Sequence, residues 1–381
     1  MNKQKPVARP DNAYFSSGPC AKYPTFSADK LLSAAVGRSH RASVGKKKLK
    51  QLIDGVREIL EVPSDYKVGI VPASDTGAVE MAMWSLLGAR NTTMVAWESF
   101  GKDWINDVVN ELKINPKIVT ADYGHIVDMS SIDYDNDVVF TWNGTTSGVC
   151  MKNGDHIPLV RKGLTICDAT SAAFAIRLPF EKLDVTTFSW QKVMGGEAAH
   201  GIIILSPKAI ERLENHEPNW PIPKIFRMTK NNKLIQGIVE GATINTPSML
   251  AVEDFLYALE WAREIGGLDE LISRAETNAK TVWSFCDQRD WIDNLAIDRE
   301  TRSVTSVCLK FTDPKIKDGV TFSKAIVKRL EEEDVAYDIA SYRDAPPGLR
   351  IWCGGTVNKI DLEQMLPWLE WAYHEELARQ I

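Results

Sequence analysis

Short apolar runs recur through the first two-thirds of this 381-residue chain, and they limit its fold more than any other feature. They are KVGIVP (67–72), TTMVAW (92–97), KIVTA (117–121), DVVFTW (137–142), LTICDAT (164–170), VTTFSW (185–190) and GIIILS (201–206). Each is rich in β-branched residues and lacks polar alternation, the pattern of strands buried on both faces. Helical stretches such as TGAVEMAMWSLLG and GKDWINDVVNELK separate the early runs. Strands alternating with helices predict an α/β fold with a mostly parallel central sheet.

After the proline-rich PNWPIPK (218–224) the pattern changes. SMLAVEDFLYALEWAREIGG reads as one long helix ended by paired glycines, with a second helix behind it. Then SVTSVCLKF, a helix, LRIWCG and a final helix read as a smaller α+β unit. The expected division is an N-terminal arm over 1–15, a large domain over 16–258 and a small C-terminal domain over 259–381.

Composition narrows the function. A net charge of −6 argues against a general nucleic-acid or membrane-surface binder. The basic run Lys46–Lys48 reads as the wet face of a helix with Leu49, Leu52, Ile53 and Val56 beneath it. No apolar run reaches the ~18–20 residues that cross a bilayer, and the first residues lack the apolar core of a signal peptide. Six cysteines without a CxxC pair read as free thiols in the reducing cytoplasm. Six scattered histidines give no metal site, and no Walker loop or GxGxxG occurs.

Ligands of parallel α/β sheets gather at the carboxyl ends of the strands. The polar residues at those ends are Ser74–Asp75–Thr76–Gly77, Ser99–Phe100, Asn143–Gly144–Thr145–Thr146, Asp168 with Ser171, and Gln191–Lys192. One lysine, one aspartate, an aromatic ring and many hydroxyls suit pyridoxal 5′-phosphate. That cofactor needs an amine for its Schiff base and a carboxylate to keep its ring nitrogen protonated. Lys192 and Asp168 supply them, although Asp168 reads equally well as a helix N-cap. Gly195 and Gly196 would let a flat ring come close. The turn before TGAVEMAMW offers free N–H groups to a phosphate. Phe100 would stack on the ring or simply fill the core.

With these residues in hand, the chain resembles the phosphoserine aminotransferase family, in the class-V group of fold-type-I pyridoxal-phosphate enzymes. The resemblance rests on YFSSGPC (14–20), SHR (39–41), EVPSDYKVGIVPASDTGAVEMA (61–82), CDATSA (167–172), WQK (190–192) and TINTPSM (243–249), in that order. It implies that Lys192 carries the cofactor and acts as catalytic base, and that Asp168 faces its ring nitrogen. Thr145 would meet the phenolic oxygen, Phe100 would stack, and Asp75, Thr76, Ser171 and Gln191 would contact the phosphate. It further implies a two-fold homodimer with shared sites, in which Asn245 and Thr246 reach over from the neighbouring subunit. His40, Arg41 and Arg343 would bind the substrate phosphate, and Arg350 the α-carboxylate. Two positions depart from the family pattern. Asp75 stands where a basic residue is frequent, so only its backbone N–H is expected to touch phosphate. Tyr342–Arg343 stands where many relatives have His-Arg.

The implied reaction moves an amino group between L-glutamate and 3-phosphohydroxypyruvate, giving 2-oxoglutarate and O-phospho-L-serine. That is a step of serine biosynthesis, with a second use in pyridoxine biosynthesis left open. A serine- or alanine-glyoxylate-type aminotransferase is the rival within the fold. A non-enzymatic α/β binding protein is the rival outside it.

Overall fold

The structure is a computed structural model that describes residues 4–379. Its strands are β1 (Lys67–Pro72), β2 (Thr92–Ala96), β3 (Lys117–Thr120), β4 (Asp137–Thr141), β5 (Thr165–Asp168), β6 (Val185–Ser189), β7 (His200–Leu205), β8 (Ile292–Asn294), β9 (Ser306–Phe311) and β10 (Leu349–Trp352). Its helices are α1 (Ser43–Ile59), α2 (Ser74–Leu86), α3 (Ser99–Asn106), α4 (Pro207–Asn215), α5 (Met249–Ile265), α6 (Gly267–Asp287), α7 (Gly319–Glu332) and α8 (Lys359–Arg379). Short two-residue ladders and single helical turns fill several connections.

The first seven strands form one sheet in the order β1-β7-β6-β5-β4-β2-β3. Only β7 runs against its neighbours β1 and β6; the other pairings are parallel. This is the α/β architecture expected from the sequence. One detail differs. KIVTA was expected to be buried on both faces, but β3 is one of the two edge strands and Ile118 is half exposed. An apolar run does not say which strand lies outermost.

Helix α1 shows how sequence becomes packing. Leu49, Leu52, Ile53 and Val56 recur at helical spacing and are buried, while Lys46 and Lys47 stay in water. Each such side chain contributes about 1.5–3 kcal/mol of apolar burial. Helix α2 has no such stripe. Residues are buried around its whole circumference, because it lies between the sheet and the chain that returns after α4.

The smaller unit is an antiparallel sheet β8-β9-β10 with α6, α7 and α8. The N-terminal segment lies against it. Tyr337 N–H donates to the Ala13 carbonyl, Trp352 N–H to that of Phe15, and Trp368 Nε1 to that of Ala8. The limit expected at 258/259 falls inside α5, and the chain turns at Gly266–Gly267, both with positive φ.

Candidate active site

All the parallel strands end at one edge of the sheet, and the turns beyond them carry the site. Lys192 follows β6 after Trp190 and Gln191. Its side chain is buried, and its Nζ donates to the carbonyl of Ser17. Among the described residues it has no carboxylate ion partner. Burial pushes its amine below the ordinary lysine range; Arg350 adds to that, while Cys20, Asp168 and Glu98 oppose it.

The glycines around this lysine correct one expectation. Gly195 and Gly196 were to make room for a ring. Instead a side chain at Gly195 would strike the Ala21 carbonyl, and one at Gly196 would lie 2.9 Å from the Trp190 carbonyl. They let the loop pack on its own chain. The glycine that makes room for the amine is Gly18, where a Cβ would sit 2.7 Å from Lys192 Nζ. Gly18 has φ +147, in the region that favours glycine.

Asp168 closes β5 and is buried. Trp104 Nε1 donates to its Oδ2 at 3.2 Å, and Thr170 N–H to its Oδ1 at 3.0 Å. Thr187 of β6 stands opposite it in register. The turn into α2 passes through Ala73 and Ser74, both at positive φ, and no side chain caps the helix. The N–H groups of Ala73 and Ser74 donate to the Ala199 carbonyl, and those of Asp75 and Thr76 remain available to an anion. The Asp75 carboxyl is buried rather than directed to those N–H groups, and burial followed by the charge of Asp168 pushes it well above the ordinary range.

On the other side of Lys192, Glu98 caps α3. It accepts from Gly101 N–H at 2.7 Å and from Thr146 Oγ1 at 2.8 Å, which fixes the start of the helix that carries Phe100 and Trp104. Burial pushes Glu98 up to about 7. Thr145 and Ser171 belong to a buried network. Thr145 Oγ1 donates to Ser171 Oγ at 2.8 Å, Asn143 Nδ2 donates to the same oxygen at 2.7 Å, and Ser171 donates to the Asn143 carbonyl at 3.0 Å. The Ser171 hydroxyl, expected at the cofactor phosphate, is thus committed inside the chain. Gln191 Oε1 accepts from Ser189 Oγ. Thr76, in the first turn of α2, is exposed.

The small unit contributes Arg350, from β10. Its Nε is buried without a partner, and among the described residues no carboxylate pairs with it. Tyr342 lies between the units: its ring is 5.3 Å from that of Phe100, and the Arg350 guanidinium stands 5.6 Å from its centre. Arg343 is exposed; it pairs with its neighbour Asp344, and its guanidinium stands 5.3 Å from the centre of the Tyr342 ring. His40 and Arg41 lie in the turn before α1, and Asn245 and Thr246 in an exposed turn before α5. No hydrogen bond, ion pair or ring contact joins these four to Lys192 within the chain.

Sequence reasoning missed Ser17, Glu98, Trp104 and His200. Glu98 and Trp104 carried a signal: one follows the β2 run directly, and the other sits one helical turn after Phe100. His200 stacks on Trp190 at 4.7 Å, and its Nε2 accepts from Ser248 N–H at 3.1 Å. Burial pushes it down to about 4.

The donor set fits one kind of group. A buried amine without a counterion, a carboxylate held by two N–H donors, an uncapped helix start and an unpaired arginine match a ring aldehyde, its nitrogen, its phosphate and an acidic substrate. These features, on this sheet, define the class of enzymes that carry pyridoxal phosphate on a lysine.

The comparisons narrow the class. No protein-family profile matches the chain. Phosphoserine aminotransferase of Methanosarcina mazei is 55% identical over 372 residues, covering 97% of this chain and 99% of its own length. A solved phosphoserine aminotransferase from Cytophaga hutchinsonii superposes with a TM-score of 0.81 at 22% identity, over 94% of this chain and 98% of its own. An alanine–glyoxylate aminotransferase from Nostoc superposes almost as well, with a TM-score of 0.78 at 16% identity, over 98% of this chain and 97% of its own. The architecture is therefore common to enzymes with different substrates, and the sequence identity separates them. The chain belongs to the phosphoserine aminotransferase family.

Proposed function

We propose that the protein transfers the amino group of L-glutamate to 3-phosphohydroxypyruvate, reversibly, giving 2-oxoglutarate and O-phospho-L-serine. The observation that carries this reading is the pair Lys192 and Arg350. One is a buried amine after β6 of the large sheet and the other a half-buried guanidinium on β10 of the small one. They are near enough for the charge of Arg350 to lower the Lys192 amine, and among the described residues neither pairs with a carboxylate.

Bound through Lys192, pyridoxal phosphate supplies an electron-withdrawing ring that makes the substrate Cα–H acidic. Once the amino substrate has displaced it from the cofactor, Lys192 would be the base: its lowered pKa leaves more of the amine uncharged, so its Nζ would take and hold the proton of the substrate Cα. Asp168 faces the ring nitrogen, and its two N–H donors keep it in place. The N-terminus of α2, with Asp75 and Thr76 through their N–H groups, takes the cofactor phosphate. Gln191 borders it, and Ser171, whose hydroxyl is committed to Asn143 and Thr145, would reach it only by giving up one of those bonds. Phe100 covers the ring and Thr145 its phenolic oxygen.

Arg350 grips the substrate α-carboxylate with two parallel hydrogen bonds. The substrate phosphate needs a separate cationic pocket, and His40, Arg41 and Arg343 form it. His40 and Arg41 come with Asn245 and Thr246 from a second copy of the chain, in a two-fold homodimer whose two sites are each shared. Exposed Leu32 and Val36, in the segment that precedes His40, support such a contact. We further place the enzyme in the cytoplasm: its six cysteines are free and buried, and no helix among the described residues is long and apolar enough to cross a membrane.

The test is direct. Purified protein incubated with pyridoxal phosphate is reduced with borohydride, digested and mapped by mass spectrometry. The label is expected on Lys192, and Lys192→Ala is expected to take none and to lose transamination by at least several orders of magnitude. The wild type is then assayed with glutamate against 3-phosphohydroxypyruvate, pyruvate and glyoxylate. Faster turnover of glyoxylate than of the phosphorylated acid sinks the substrate assignment.

A further inference from the structure

The Asp75 carboxyl lies where a carboxylate has no counterion. It projects from the first turn of α2 over the ends of β5 and β6 and is buried there. Around it are Asp168 and the hydroxyls of Thr170 and Thr187. Both hydroxyls face it, yet neither they nor Asp75 Oδ1 reaches hydrogen-bonding geometry. The Cys167 thiol lies near both acids and is pushed up by burial and then by their charges. Among the described residues no lysine or arginine pairs with Asp75 or Asp168. The charge nearest the pair is that of the buried Lys192 amine, which acts on Asp168 without pairing with it and is itself lowered by burial, so two adjacent buried carboxyls are not both ionised and one holds a proton.

The donors around the two acids decide which one. Asp168 accepts N–H groups from Trp104 and Thr170, the surroundings of an anion. Asp75 accepts none, and it does not cap its own helix. We propose that Asp75 is a neutral carboxylic acid whose O–H donates to Asp168, making it a positioning residue for the carboxylate that faces the cofactor nitrogen. An ionised carboxylate offers about four lone-pair directions. Trp104, Thr170 and Asp75 fill three, and one is left for the ring N–H. Two carboxyls then share one proton and one negative charge, which the ring proton balances. The arrangement also explains how an aspartate is tolerated at a phosphate-binding turn: a neutral acid does not repel the phosphate. The positioning role rests on the reading of Asp168 given above; the protonation does not.

The protonation is read in the apoprotein. Infrared spectra at pH 9, where Glu98 at about 7 has lost its proton, are expected to show the carbonyl band of a protonated carboxylic acid in the wild type. Asp75→Asn is expected to lack it. A wild type without the band, or an Asn variant that keeps it, overturns the proposal, and the first result needs no variant to fold. Cofactor affinity, followed by tryptophan quenching on variants checked by circular dichroism, tests the positioning. An amide donates as a neutral acid does, so Asp75→Asn is expected to bind pyridoxal phosphate within about threefold of wild type. Asp75→Val, without a donor, is expected to bind about tenfold more weakly. Equal losses in the two would mean that the charge of Asp75 matters, and would overturn the proposal. If Asp168→Asn keeps full affinity, the nitrogen-facing role of Asp168 fails and the positioning role with it, while the infrared result still decides the proton.

Discussion

The two halves of the site differ in how far one chain completes them. Around Lys192 the side chains are buried, and Ser17, Glu98, Thr145, Asp168 and Ser171 close their hydrogen bonds within the chain, while Asp75 Oδ1 and the Thr170 and Thr187 hydroxyls do not. Around the groups assigned to the substrate, little is closed. Arg41, Arg343, Asn245 and Thr246 are exposed, and Arg350 has a buried Nε with no partner. An unmatched donor is costly to bury unless an anion arrives. On the proposed reading, the cofactor half is built by the sheet edge itself, and the substrate half is left as charge for an anion and a second subunit to complete.

Arg350 belongs to the open half and should give the largest effect there. If it grips the α-carboxylate shared by both amino acids, Arg350→Lys is expected to slow the glutamate and phosphoserine half-reactions alike, by roughly 100-fold in kcat/KM. Single-turnover rates with each substrate check it. A loss confined to one substrate would mean that Arg350 reads something other than the common carboxylate.

Next come the exposed cations. Charge-assisted bonds to phosphate contribute about 1.5–3 kcal/mol each, so Arg41→Ala and Arg343→Ala should each cost roughly 10- to 100-fold in kcat/KM for phosphoserine. Glutamate and unphosphorylated serine should suffer less. Proportional losses for phosphoserine and serine would show that these arginines do not read the phosphate. Mixing inactive Lys192→Ala with the weakened Arg41→Ala sharpens the point: if Arg41 serves the neighbour's site, one of the two sites in each mixed dimer should regain the wild-type kcat/KM for phosphoserine.

The closed half was largely legible in the sequence, and the reason is local. Lys192 and Asp168 each end an apolar run, and the rule that ligands gather at strand ends needs only the order of strands and helices. The direction of β7 and the edge position of β3 left no local trace, because pairing is decided between distant segments. The same holds for Ser17 and Gly18, about 175 residues from the lysine they touch. Gly195 and Gly196 were visible as glycines, but their purpose depends on Ala21 and Trp190, which only the folded chain brings close. The open half was legible only through resemblance to a family, since exposed arginines before a helix look alike whether or not a second subunit uses them.

His200 joins the two halves. Its ring stacks on Trp190 beside the lysine loop, and its Nε2 holds the turn that follows Asn245 and Thr246. Burial lowers it from 6.5 to about 4. The folded state therefore favours the neutral ring: the stabilisation is complete above pH 6.5 and is lost as pH falls toward 4. Between pH 7 and pH 5 that amounts to about 2 kcal/mol. The thermal midpoint of wild type should fall over this window by more than that of His200→Gln, whose side chain does not titrate. Parallel curves would mean that the histidine is charged in the fold or linked to nothing.

The smallest effect is expected where the halves touch. Tyr342 rests on Phe100 of the large unit and under Arg350 of the small one. It adds no charge, so any effect on the substrate would come from its ring, which stands 5.6 Å from the Arg350 guanidinium and 5.3 Å from that of Arg343. Cation–π contacts of this kind contribute about 0.5–1 kcal/mol when partly exposed, and aromatic pairs a similar amount. Tyr342→Leu should therefore reduce kcat/KM by roughly 3- to 10-fold, through KM more than kcat, because it loosens the grip on the carboxylate in ground and transition state alike. Tyr342→Phe keeps the ring and should stay close to wild type. If Phe is as damaging as Leu, the phenol itself bonds the substrate. Tyr342 would then belong with the open half rather than at the seam between the two.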